Sequence, residues 1–185
     1  ASSFTIVLIP QIKNLRFCKR VIIFFILILC AAIVTGFTIA FFSRNFYGTV
    51  YNDSTQIFAV NTENCLTTIE YEYYLSELPD GFEMTKHDSL SFDVYTVYED
   101  KSSGKRISFS QCAKNCFSPH YNTEKHDFEE IDVNGHAGLC IDFSDDKHNR
   151  SIVVWDNGDY ILEIVGNLSK NELLNLAESA KILEN

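Results

Sequence analysis

From Leu66 to the end of the chain, β-branched and aromatic residues alternate with polar ones. Turn signals recur about every 8–12 residues, the pattern of an antiparallel sheet. "TTIEYEYYL" predicts a first extended or helical stretch. In "LPDGFEM" the Pro-Asp-Gly predicts a turn, because Pro79 presets φ and Gly81 tolerates positive φ. "FDVYTVYED" and "KRISFSQC" predict a hairpin closed by "KSSG". After a loop from Ala113 to about Asp127, "FEEIDV" and "GLCIDF" flank Asn134-Gly135, a second hairpin signal. A two-residue turn there would set Ile131 on the face opposite Leu139 and Ile141. One apolar face therefore predicts a three-residue loop with a glycine bulge. Asn157-Gly158 predicts a third hairpin with a type I′ turn, pairing Trp155 with Tyr160 and Val153 with Leu162. On this reading Asp156 and Asp159 only flank the tip.

Ser169 with Glu172 three residues on predicts a capping box, and Leu168 with Leu173 a hydrophobic staple around it. Leu173, Leu176, Ala177 and Ala180 then recur at helical spacing. The predicted fold is α+β, an antiparallel β-sheet built from hairpins with a packed C-terminal helix. The Trp155 hairpin is apolar on its other face too, through Ile152, Val154, Ile161 and Val165. Something must cover that face: a second layer of the domain, a partner or an apolar ligand. Cover from residues 43–65 or the first helix is the simplest expectation.

Before Leu66 the pattern changes. Val21 to Phe42 is apolar without a charge, long enough at ~1.5 Å per residue to span about 33 Å as a helix and cross a bilayer. The run outlasts a signal-peptide core of about 7–15 residues, so a retained anchor is expected. Lys13, Arg16, Lys19 and Arg20 precede it, and only Arg44 follows closely, which sets the N-terminus in the cytoplasm. The expected organisation is a cytoplasmic basic segment (1–20), a transmembrane helix (21–42), a polar stalk (43–65) and an extracytoplasmic α+β domain (66–185). The lipid bilayer is the partner expected for residues 21–42.

Within the 185 residues, charge divides at the same place: residues 1–42 carry +4 and residues 43–185 carry −14, giving the net −10. So acidic a domain repels nucleic acid.

Of the six cysteines, Cys18 is juxtamembrane and Cys30 lies inside the predicted span. Cys65, Cys112, Cys116 and Cys140 fall outside the membrane, and their even number favours two disulfides without fixing the pairing. Cys112, Cys116, His120 and His126 form the ligand set of a tetrahedral zinc site. Only three residues separate Cys116 from His120, however, where structural sites separate their knuckles by about a dozen or more. A catalytic Cys/His pair would need a lowered thiol pKa and a third, orienting group. Glu129, Glu130, Asp132, Asp142, Asp145 and Asp146 lack the spacing of a calcium loop and read as solvated strand faces. No serine nucleophile elbow, phosphate-binding glycine loop or HExxH pattern is present, and no cofactor is implied.

From about Leu78 to Lys181, the stretches "LPDGFEM", "VYEDKSSGKRISFSQ", "TEKHDFEEIDVNGHAGLCIDF" and "SIVVWDNGDYILEIVGNLSKNELLNLAESAK" occur in this order. This part of the chain resembles the bacterial domain of unknown function numbered 4367, found mainly in Firmicutes. The resemblance implies a membrane-tethered extracytoplasmic domain, sometimes joined to anti-sigma-like or other regulatory N-terminal regions, with no established activity. The cysteines of "QCAKNCFSPHY" depart from the family pattern. The expectation is a single-pass, non-enzymatic protein with an extracytoplasmic sensing or interaction domain. The alternative is a lipid or peptide carrier using the face of Ile152, Val154, Ile161 and Val165. A zinc or thiol site is the third reading.

Overall fold

The computed structural model describes residues 40–42, 45–60, 62–63, 65–126, 128–143 and 150–184. The chain divides into two units, 1–38 and 39–185. The expected cytoplasmic segment and residues 21–39 of the expected span lie outside the described residues, as do Cys18, Cys30, Asp145 and Asp146. Among the described residues no helix is long and apolar enough to cross a membrane. The last three residues of the expected span, Ala40–Phe42, are strand rather than helix, because they pair with the strand that follows.

The strands are β1 (Ala40–Phe42), β2 (Phe46–Val50), β3 (Ser54–Ala59), β4 (Tyr73–Leu75), β5 (Phe82–Ser89), β6 (Asp93–Asp100) and β7 (Lys105–Ala113). A short 3-10 helix, Lys114–Cys116, precedes β8 (His120–Asn122), β9 (Glu129–Val133), β10 (His136–Ile141), β11 (Ser151–Asp156) and β12 (Tyr160–Gly166). Helix α1 (Lys170–Glu178) and β13 (Ala180–Ile182) close the domain.

Seven strands form the central antiparallel sheet, in the order β5-β6-β7-β12-β11-β10-β9. Two meanders thus meet where β7 pairs with β12, Phe109 opposite Ile164. One face packs beneath α1 and the β4–β13 pair, with Ile107, Phe109, Val153, Trp155, Leu162 and Leu173 in that core. The capping box forms as expected, Ser169 N donating to Glu172 Oε2 at 2.8 Å, and it directs Leu173 and Leu176 onto the sheet.

The opposite face is closed by a second sheet, β1-β2-β3-β8. In place of a stalk, residues 46–50 and 54–59 are a hairpin whose Phe46 and Ile57 are fully buried. They pack with Val154 and Ile161, and Ile152 lies against the same cluster. Three of the four residues of the face expected to need cover are therefore packed from within the chain, while Val165 stays half-buried outside that cluster.

Burial on both faces also explains the first of two differences in register. Asn134 and Gly135 have φ of 52° and 86°, and Val133 pairs with His136, so the turn has two residues and no bulge. Ile131 then faces the helix side and Leu139 the second sheet, each with a core to enter. At the third hairpin Trp155 pairs with Leu162 and Val153 with Ile164. The turn is shifted by one residue, with Gly158 at φ 103° in its bend.

Candidate functional site

A wide opening in the helix-side layer lies between the β4 segment and the outer strands β5 and β6. It has a volume of about 470 Å³, and its walls are mostly apolar. One wall is Tyr73, Tyr74, Leu75 and Leu78, with Leu183 beyond β13; the other is Met84 and His87 on β5 with Tyr98 on β6. Gln111 sets the first wall in place. Fully buried on β7, its side-chain carbonyl accepts from Tyr73 N and its amide donates to Tyr71 O, both at 2.9 Å. A buried amide satisfied in this way fixes the backbone that it clamps.

A β-bulge shapes the second wall. Met84 pairs with Tyr98, but Lys86 pairs with Val97, leaving Thr85 as an extra residue. Without the insertion Met84 and His87 would point to opposite faces of the strand. With it His87 falls opposite Thr96, so both side chains reach the groove. Lys86 turns to the other face and lies 5.4 Å from the centre of the Tyr95 ring.

The polar end of the groove is a linked set. His87 Nδ1 is 3.0 Å from Thr96 Oγ1, its Nε2 is 3.2 Å from Glu72 Oε2, and Ser89 Oγ donates to Glu72 Oε1 at 2.6 Å. Beyond Glu72 the groove continues into a smaller hollow of about 240 Å³ that Glu70 and Tyr71 also line. Met84, Leu183 and Tyr74 keep 59%, 46% and 37% of their surfaces exposed, more solvent contact than side chains of the closed cores retain.

The sequence candidates fall elsewhere. Cys112, Cys116, Asp93, Ser110 and Glu163 line a separate cleft of about 270 Å³ next to the second sheet. Tyr121 Oη donates to Glu163 Oε1 at 3.1 Å and Ser110 Oγ to Oε2 at 3.4 Å. Burial raises the pKa of Glu163 and of Asp93. Burial, followed by the charge of Asp93, pushes the Cys112 thiol up to about 12, opposite to what a nucleophilic cysteine requires.

Cys65, Cys112, Cys116 and Cys140 are all free thiols, in place of the two disulfides expected. Cys140 belongs to the helix-side core and Cys112 packs against the other one, so the sheet separates that pair. The zinc quartet is not assembled either. The His120 ring packs 5.9 Å from Tyr51 and the His126 ring 4.5 Å from Phe143. Among the described residues no three His, Cys, Asp or Glu side chains converge as a metal site. Of the six acids considered for calcium, Asp142 accepts from Ser151 at 2.8 Å and Glu129 pairs with Lys170.

Sequence reading passed over the groove because "FEMTKHDS" has no strand alternation; its one signal was the Pro79-Asp80-Gly81 turn that launches β5. The family model described as a domain of unknown function (DUF4367) matches residues 72–179, a little over half of the chain. No curated protein matches it. The matched range begins beside the groove at Glu72 and includes the central sheet and α1, leaving β1, β2 and β3 outside.

Proposed function

The chain belongs to the DUF4367 family, a domain of unknown function, and we propose that it is a single-pass membrane protein whose extracytoplasmic domain binds a ligand without transforming it. The groove between β4 and β5 carries this reading. Both cores are closed by the chain's own layers, yet here a concave apolar surface stays open beside an ordered polar group, the form expected of a small-ligand or peptide site. The cleft at Cys112 offers no activated nucleophile in support of an enzyme. The uncharged run from Val21 to Ile39, the basic residues before it and the acidic domain after it support the anchor and its orientation.

Met84 is the sole methionine of the sequence, so a ¹³C-methyl label reports the groove alone. In the full chain, reconstituted in nanodiscs, titration with p-cresol is expected to move the Met84 resonance to saturation, and Leu183→Asp to abolish the response. A wild-type resonance that never saturates would sink the groove reading. Membrane-impermeant maleimide on intact cells is expected to label Cys116 and not Cys18; the reverse would overturn the orientation.

A further inference from the structure

The outer wall of the groove is also an open sheet edge. β5 is the terminal strand of the central sheet, and every residue from Glu83 to Ser89 is exposed. Its outer row of backbone N–H and C=O groups faces no strand among the described residues, a template for pairing with another extended chain. The bulge at Thr85 limits indiscriminate pairing by twisting the edge, while it turns Met84 and His87 toward the groove. Strand edge and pocket thus share β5, the edge in the plane of the sheet and the pocket on its helix-side face, which supplies main-chain affinity and side-chain selection together.

Charge narrows the occupant. Glu72 and Glu70 line the groove and the hollow beyond it, and neither lining includes a lysine or arginine. We infer that an extended peptide segment docks as an added strand on β5, setting an apolar side chain between Met84 and Leu183 and a lysine or arginine two residues along against Glu72. Side chains two apart share a face of a strand, so both enter from the groove side. This rests on the groove being a binding site and specifies what fills it.

The test uses the full chain in nanodiscs, the Met84 methyl signal and a synthetic peptide repeating valine-threonine-lysine-threonine. A saturable shift is expected. Replacing lysine by glutamate should weaken binding by about tenfold or more, and methylating alternate backbone nitrogens by a similar factor, since each removes one class of contact. Glu72→Gln should weaken the lysine peptide about tenfold while Trp155 emission reports an intact fold. Saturation by p-cresol with no response to the peptide overturns strand addition and leaves the groove reading standing; silence toward both ends both. Equal affinity for the methylated and unmethylated peptides overturns the added strand, and a response to dodecylamine but not to peptide makes the ligand an amphiphile and overturns it as well.

Discussion

Lys114 Nζ lies 2.7 Å from Asp156 Oδ1, with both side chains almost wholly buried. The same carboxylate accepts from Asn45 Nδ2 at 3.2 Å and from Gly158 N at 2.9 Å. One acid therefore ties together the entry to β2, the turn after β7 and the β11–β12 tip. Removing one partner of a buried pair leaves an uncompensated charge. Asp156→Asn should cost about 3–5 kcal/mol, and Lys114→Met with Asp156→Leu should recover much of it, because no charge is then stranded. Urea unfolding followed by Trp155 fluorescence checks both; an Asp156→Asn midpoint equal to wild type would make the acid a mere flank of its turn.

The sequence pattern led to the opposite expectation at Asp156, and the reason is instructive. Local signals captured what local physics determines: the β6–β7 hairpin and the Ser169 capping box stand, and the helix stripe holds through Leu173, Leu176 and Ala177, while Ala180 falls past the helix end and pairs with Leu75 as the start of β13. The register at Asn134 depended on how many faces of the sheet are buried. That is settled by Phe46 and Ile57, roughly eighty residues earlier in the chain, in a segment polar enough to read as a stalk. β8, only three residues long, was hidden in a loop for the same reason: its pairing with Ser54–Gln56 is non-local. The groove was illegible because its β5 wall is exposed from Glu83 to Ser89, and exposed strands carry little apolar alternation.

Gly138 on β10 pairs with Trp155 on β11. A Cβ there would lie 2.6 Å from Val154 O and 2.9 Å from Trp155 Cβ. Neither is the far end of a flexible side chain, so the strands must separate. Gly138→Ala should destabilise by about 1–3 kcal/mol, the usual cost of overpacking. An unchanged urea midpoint would show that this pair of strands has room to spare.

The four thiols should react in an order set by exposure and ionisation. Cys116 is exposed. Cys140 is buried, and burial pushes its pKa up to about 11 despite the opposing effect of Lys170; Cys112 reaches about 12. The thiolate is the reacting form, so at neutral pH an aromatic disulfide reagent should modify Cys116 well before Cys112 and Cys140. Peptide mapping after brief labelling reads the order, and Cys112 modified first would contradict its placement.

Glu163 makes the domain's stability depend on pH in a defined direction. Loss of hydration raises its pKa above the ordinary 4.5, the donors Tyr121 and Ser110 only partly offset this, and the nearby charge of Asp93 adds to the rise. Folding therefore favours the protonated carboxyl. Its contribution is fully present below the ordinary value and is lost as pH rises through the raised one, at a slope of up to about 1.4 kcal/mol per pH unit. Glu163→Gln keeps an oxygen to accept from Tyr121 and cannot ionise. In urea unfolding above pH ~4.5, the ordinary carboxylate value, wild type should lose stability relative to the variant until the raised pKa is passed, after which the two curves run parallel. Parallel curves throughout would mean that the Glu163 carboxylate is hydrated after all, and that the contact of Tyr121 with it does not close the second sheet over the first.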